Sequence, residues 1–318
     1  MRNIFSLAIA IMALLMSASC SNDNEGSFTE SATNQPTHSK AHVRLRCGMS
    51  NGAAVSHPTP HSRATLTANG TELTDLFILD YEKESGKLLQ VLHQTSTAPD
   101  FAEPDLTLDY GEHTLKVIAT RSTSPTLLDA TAATWEVPDN VLTSVSGANT
   151  PTLFSSAKTS DTFGAQRDIS VGIGEVQTVN LTLERLVARM IIQSTDVFPT
   201  DCSTFDLSLQ EYKSFLWPTF DVIEAVNNHR SSDVSVLAGT TGTTITYYMF
   251  APADGYTTDI TFTTNSKTGN PYSTITVPDV RLERNKTTTI TGSFYNHQQG
   301  FSISINDVWD ENGHDIHI

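Results

Sequence analysis

The sequence predicts an all-β fold, arranged as two β-sandwiches in tandem behind a signal peptide and a flexible tether. Three observations carry this prediction. Short segments rich in β-branched and aromatic residues recur between Gly, Pro, Asn and Asp, and no long stretch shows the 3.6-residue apolar period of an amphipathic helix. The first twenty residues read as an export signal rather than as part of a folded body. About 280 residues remain beyond the tether, too many for one small sandwich and enough for two domains.

At the N-terminus, Arg2 supplies a positive start and Ile4 to Met16 forms an apolar run of about thirteen residues. A bilayer needs roughly twenty, so this run is a secretory signal and not a span. Ser17, Ala18 and Ser19 lead into Cys20, which resembles the lipobox where lipoprotein signal peptidase cuts and leaves an acylated cysteine. Ser17 replaces the usual Leu, and Ser17 and Ser19 also suit ordinary signal peptidase, which would leave a soluble product. The expectation is a lipoprotein signal peptide over 1–19 and lipidation at Cys20. Several acyl chains at ~0.8 kcal/mol per CH₂ would hold the chain firmly. Residues 20–40 are dominated by Ser, Thr, Asn and Glu and have little to bury, so they are expected to form a tether reaching on the order of 25 Å. Asp23 and Glu25 resemble the acidic surface-export signals of Bacteroidetes lipoproteins.

Strands are expected where apolar residues alternate or form short runs. His42 to Cys47 alternates, Leu73 to Tyr81 contains the run LFILDY, and His113 to Ala119 alternates again. In the second half, Thr244 to Phe250, Asp259 to Thr263, Thr287 to Tyr295 and Phe301 to Ile305 behave alike. Asn69-Gly70, Ser85-Gly86, Thr268-Gly269-Asn270 and Asn312-Gly313 are turn signals. A short helix is expected after Pro218, within Leu216 to Asn228. Val179, Leu181 and Leu183 are apolar at odd positions, whereas Leu186, Ala188, Met190 and Ile192 are apolar at even ones. Strand side chains alternate with period two, so this change of parity at Glu184-Arg185 means a bulge or a passage from one sheet to another. It is read as the junction between an N-terminal sandwich, 41–184, and a C-terminal sandwich, 185–318, each of about seven strands.

The chemistry-bearing patterns are few. There is no H-E-x-x-H, G-x-S-x-G, P-loop or C-x-x-C, and no catalytic residue, metal ligand or cofactor is nominated. Gly172-Ile173-Gly174 lacks the third glycine of a nucleotide fingerprint and reads as a turn. His42, His57 and His61 do not match a ligand spacing, and Asp307, Asp310, Asn312 and Gly313 lack the closing Glu of a calcium loop. Trp135, Trp217 and Trp309 serve either a sugar-stacking platform or core packing. A net charge of −16 argues against nucleic acid as a partner, and the dispersed acids serve solubility. With Cys20 acylated, Cys47 and Cys202 either pair as a disulfide or remain two buried thiols; they fall in different expected domains.

Several segments together resemble the Bacteroidetes fimbrillin superfamily. They are LFILDYEKESGKL (Leu76 to Leu88), SDTFGA (Ser160 to Ala165), LTLERLVARMII (Leu181 to Ile192), YYMFAPADG (Tyr247 to Gly255), VRLERNKTTTITGSFY (Val280 to Tyr295) and FSISINDVW (Phe301 to Trp309). The resemblance implies two transthyretin-like/Ig-like β-sandwich domains and a non-enzymatic role as a subunit of type V pili. The implied partners are other fimbrial subunits, the outer membrane through the lipid anchor, and a host or bacterial surface ligand. It also implies assembly by strand addition, in which an arginine-specific protease removes a first strand and a neighbour's strand fills the groove. The candidate first strand is His42 to Cys47, and Arg44, Arg46 and Arg63 are either processing sites or plain exposed cations. Anchor subunits of that superfamily keep this strand and the lipid. The chain ends about nine residues after Trp309, leaving little for a donor extension, which favours an anchor or accessory role. The alternative is a surface glycan-binding lipoprotein of a polysaccharide-uptake system.

Overall fold

The computed structural model describes residues 40–50, 54–56, 65–68, 71–121, 126–129, 134–137, 140–144, 152–155, 161–174, 176–217, 219–242, 244–295 and 301–306. His38–Ile318 is one compact unit. In chain order its strands are β1 (Lys40–Met49), β2 (Ala54–Ser56), β3 (Thr65–Ala68), β4 (Thr71–Glu72), β5 (Asp75–Glu82), β6 (Leu88–Thr95), β7 (Asp105–Asp109) and β8 (Gly111–Thr120). Four short strands follow, β9 (Thr126–Asp129), β10 (Thr134–Val137), β11 (Asn140–Ser144) and β12 (Thr152–Ser155), and then β13 (Thr162–Val171) and β14 (Gln177–Arg185). The second half holds β15 (Val187–Ser194), β16 (Cys202–Phe215), β17 (Val222–Asp233), β18 (Thr244–Phe250), β19 (Tyr256–Ser266), β20 (Pro271–Leu282), β21 (Thr287–Gly292) and β22 (Ser302–Asn306). Among the described residues the remaining regular element is a 3-10 turn at Ser235–Leu237, so the fold is all-β as the sequence predicts.

The first sandwich is one seven-stranded sheet folded on itself, in the order β6-β5-β8-β13-β14-β1-β7. β13 and β14 pair only through Phe163–Arg185 and Gly164–Glu184, and at that corner the sheet turns over. The halves β6-β5-β8-β13 and β14-β1-β7 then face each other, enclosing Val43, Leu45, Leu76, Ile78, Val117 and Leu181 among others. LFILDY is apolar at both parities because β5 is covered twice. Leu76 and Ile78 face this core, while Phe77, Leu79 and Tyr81 face the second sandwich. Two buried carboxylates are met by histidines: His113 Nδ1 lies 2.7 Å from Asp80 and His93 Nε2 lies 2.8 Å from Asp75.

The second sandwich places β22-β21-β15-β18 against β17-β16-β19-β20, joined at the Tyr212–Phe250 corner. Between them lie Met190, Ile192, Phe205, Leu207, Met249 and Phe262. The helix expected after Pro218 is absent: residues Val222–Asp233 form strand β17, paired antiparallel along β16 from Phe215–Val222 to Thr204–Asp233. Local helix preference in IEA yields to this long ladder, since β-pairing is decided by neighbours more than by propensity. β9 to β12 precede β13 in sequence yet belong to the second sheet, through β12 pairing with β16.

Where parity changes, β14 ends at Arg185 in the first sheet and β15 begins at Val187 in the second, with Leu186 N–H donating to Thr162 O at 2.9 Å. A third apolar cluster fills the space between the sandwiches. It joins Phe77, Leu79, Tyr81 and Ile118 to Leu186, Val187, Phe215, Trp217, Phe220 and Phe250.

Candidate functional site

β1 contains His42 to Cys47, the candidate first strand that the resemblance implies. It is a central strand, parallel to β14 from Val43–Gln177 to Met49–Leu183 and antiparallel to β7 from Lys40–Asp109 to Arg44–Asp105. Beyond β7, Leu45 and Cys47 N–H donate to Pro104 and Ala102 carbonyls at 2.9 Å each. Burial alternates strictly: Ala41, Val43, Leu45 and Cys47 point into the core, and Lys40, His42, Arg44 and Arg46 point to solvent. Val43 and Leu45 are each 0 % exposed, so each contributes about 1.5–3 kcal/mol of apolar burial. On the outer face Arg44 grips Asp105 through two bonds of 2.8 and 3.0 Å, and Arg46 approaches Glu103 at 3.8 Å. The Arg44 side chain holds the Asp105 carboxyl below its ordinary range. The peptide bonds after Arg44 and Arg46 therefore lie within a strand bordered on both sides. A protease that binds its substrate as an extended strand finds no free edge there until β1 leaves the sheet.

Cys47 belongs to the first core and Cys202 to the second, and both are buried free thiols. Burial pushes the Cys47 thiol up to about 12, with Glu103 adding to the effect. Burial also raises Cys202, whose Sγ lies 3.4 Å from Val234 O. Cys20, Arg63, His57, His61, Trp309 and the 307–313 segment lie outside the described residues, as does the side chain of Trp135. Trp217 is buried in the cluster between the sandwiches, and His42 is a solvent-facing residue of β1. Among the described residues no group of three His, Cys, Asp or Glu is placed to hold a metal.

In the second half, β22 pairs among the described residues on one side, with β21, and its residues Ser302 to Ile305 are exposed on both faces. Ile303 and Ile305 stand 43 % and 42 % exposed. Phe301 anchors its start, 5.2 Å from Phe294, in a space that exists because residue 292 is glycine: a Cβ there would sit 2.3 Å from the Phe301 ring. The residues before it are held by Asp196, which accepts from Ser194 Oγ (2.7 Å), Ser293 Oγ (2.9 Å), Phe294 N (3.1 Å) and Tyr295 N (2.6 Å). Burial alone would raise the Asp196 carboxyl, but these donors together hold it below its ordinary range.

Three of the resembling segments converge at the corner between the sandwiches, a site the single sequence does not reveal. Arg185 donates to both oxygens of Asp161 at 2.9 and 3.2 Å and to Asn285 Oδ1 at 2.9 Å, and its guanidinium lies 4.5 Å from the Phe163 ring centroid. Asn285 adopts a left-handed φ of 60° that asparagine tolerates, and its N–H donates to Val187 O at 2.9 Å. Gly164 leaves room for Leu186 and Phe220, which a Cβ would meet at 2.9 and 3.2 Å.

Residues 130–318 match a sequence family described as "Family of unknown function (DUF6562)". The chain belongs to this family. No curated protein matches it. Solved structures similar to the chain include the tip fimbrial protein Mfa3 from Porphyromonas gingivalis, at 10 % identity and TM-score 0.44, with 84 % of this chain and 99 % of that one covered. Another is the fimbrial anchor protein Mfa2 from the same organism, at 10 % identity and TM-score 0.44, covering 85 % and 98 %. A fimbrial assembly protein from Parabacteroides distasonis gives 12 % identity and TM-score 0.40, covering 84 % and 98 %. These neighbours are described as fimbrial proteins.

Proposed function

We propose that this chain is a structural, non-enzymatic fimbrial subunit in the anchoring or accessory role, held at the outer membrane by lipid on Cys20 and joined to other fimbrial subunits by strand addition. The observation that carries the reading is β1: an N-terminal strand of alternating burial that fills a slot between β14 and β7. Its pairing on both sides, and the ion pairs of Arg44 and Arg46, favour a subunit that keeps this strand. If β1 stays, the neighbour's strand must join elsewhere. β22 is well suited to exchange, since among the described residues it is paired on one side and carries Ile303 and Ile305 half in water. A donor strand there gains main-chain hydrogen bonds for affinity and alternate side chains for register.

The test combines three measurements on cells that make the protein. Fatty-acid labelling should be lost in Cys20→Ala, and surface material should begin at an acylated Cys20 rather than after Arg44, Arg46 or Arg63. Unboiled samples should run as ladders that collapse on boiling. A monomer in cells that keep normal pili after gene deletion would refute the fimbrial role, and binding on a glycan array would move the reading to a glycan-binding lipoprotein.

A further inference from the structure

We infer that the end of the first sandwich where β1 begins is a membrane-contacting surface, with Ile173, Val176 and Tyr110 resting in the interfacial layer of the lipid bilayer. The inference builds on the lipid-anchored reading of Cys20. The register brings these residues to one pole. Lys40 opens β1 opposite Asp109, the last residue of β7. Gly111 opens β8 opposite Val171, the last residue of β13. Gln177 opens β14 opposite Val43. The β7–β8 turn carrying Tyr110 and the β13–β14 turn carrying Ile173 and Val176 therefore flank the point where the chain enters the fold.

What these turns present to water is unusual. Ile173 is 85 % and Val176 63 % exposed, the two highest values for large apolar side chains among the described residues, and Tyr110 is 36 % exposed. Single exposed apolar residues are ordinary, but clustered ones at the tips of adjacent turns mark a contact surface. The tip projects freely, since a Cβ on Gly172 or Gly174 would meet nothing within 4 Å. A shallow depression of about 530 Å³ beside it is lined by Ala41, Val171, Ile173 and Val176. Isoleucine and valine at a narrow tip with tyrosine at its shoulder suit the boundary between headgroups and acyl chains, where an amphipathic ring has one apolar and one wet end.

The occupant follows from where the chain leads. Nineteen residues separate Cys20 from Lys40, a length with a mean span on the order of 25 Å when unstructured, so the expected anchor holds this pole rather than any other near the bilayer. Charges around the pole are mixed. Lys83 pairs with Asp168 at 3.1 Å and Glu112 at 3.9 Å, and Lys40 and Asp109 face each other across the ladder. The attraction is accordingly apolar and should change little with salt or with the proportion of anionic lipid.

The experiment uses the full acylated chain in vesicles of phosphatidylethanolamine and phosphatidylglycerol. Ile173→Cys carries an environment-sensitive fluorophore, and Tyr272→Cys, on the second sandwich and 41 % exposed, carries the same label as reference. The native thiols of Cys47 and Cys202 are buried. The label at 173 should shift to the blue and be quenched by nitroxide-bearing lipids, the label at 272 should do neither, and Val176→Asp should weaken the effect at 173. Vesicle flotation separates the two readings: a chain that fails to float overturns both, whereas one that floats with the 173 label in water overturns this inference alone. A blue shift present without vesicles would assign the patch to residues 21–39, or to a second copy if it grows with protein concentration, and would equally overturn it.

Discussion

Replacing Arg185 by Met removes the charge that neutralises Asp161 while keeping an apolar chain of similar length. The two side chains are 2 % and 0 % exposed, so Asp161 is left as a buried carboxylate without its counter-charge. Breaking such a pair costs about 3–5 kcal/mol, a large share of the roughly 5–15 kcal/mol that holds a folded protein together. Loss of the bond to Asn285 and of the contact with Phe163 falls within the same figure rather than adding to it. Replacing both partners, as Asp161→Leu with Arg185→Met, removes the stranded charge and should recover much of the loss, giving a coupling of about 2 kcal/mol or more. Urea unfolding followed by circular dichroism and by the fluorescence of Trp217, which is buried between the sandwiches, reads both quantities. With a slope of about 3 kcal/mol/M, the single variant should lose about 1–2 M in midpoint. Wild type should unfold in one transition by both probes, because the sandwiches share an apolar cluster. A single variant within 1 kcal/mol of wild type, or strict additivity in the double, would refute the claim that this pair holds the corner.

Three further outcomes are expected. Gly292→Ala should cost about 1–3 kcal/mol by displacing the Phe301 ring, and should speed limited proteolysis near β22; unchanged cleavage there would show that the ring does not anchor the strand. Asp196→Asn should lower stability by about 1–3 kcal/mol at pH 7. Because the folded carboxyl sits below its ordinary 3.8, its contribution is present above pH 3.8 and is lost as pH falls through the lower folded value; a gap between variant and wild type that does not close in acid contradicts this. Cys47 and Cys202 should resist alkylation in the native protein at pH 8.5 and react once unfolded, whereas a mass two hydrogens lighter would reveal a disulfide.

Much of the architecture is legible in the sequence because side-chain alternation is a local signal. The alternating residues of β1 are the buried ones, and the parity change at Glu184-Arg185 falls where the chain passes between sheets. Pairing is not local, and there the sequence is silent. Nothing in Thr152 to Ser155 announces that β12 joins β16, and the apparent helix near Pro218 becomes β17 because a long partner strand lies beside it. The corner network is the clearest case. Asp161, Arg185 and Asn285 are separated by 24 and 100 positions, so no spacing rule links them. LFILDY did carry a readable hint, since a strand apolar at both parities must be covered on both faces.

The parallel pairing of β1 with β14 also bears on mechanics. Under the proposed anchoring, a pull on the tether would load β1 at its N-terminal end, Lys40, while one route by which a load on the second sandwich reaches the first is the C-terminal end of β14, Arg185. Two parallel strands pulled from opposite ends slide along one another. Every rung from Val43–Gln177 to Met49–Leu183 is then stretched together, instead of parting one at a time as in a peeling hairpin. Rupture requires the whole ladder to yield at once, and lifetime under force is governed by the unfolding rate rather than by equilibrium stability. In that loading geometry the first strand is a shear clamp.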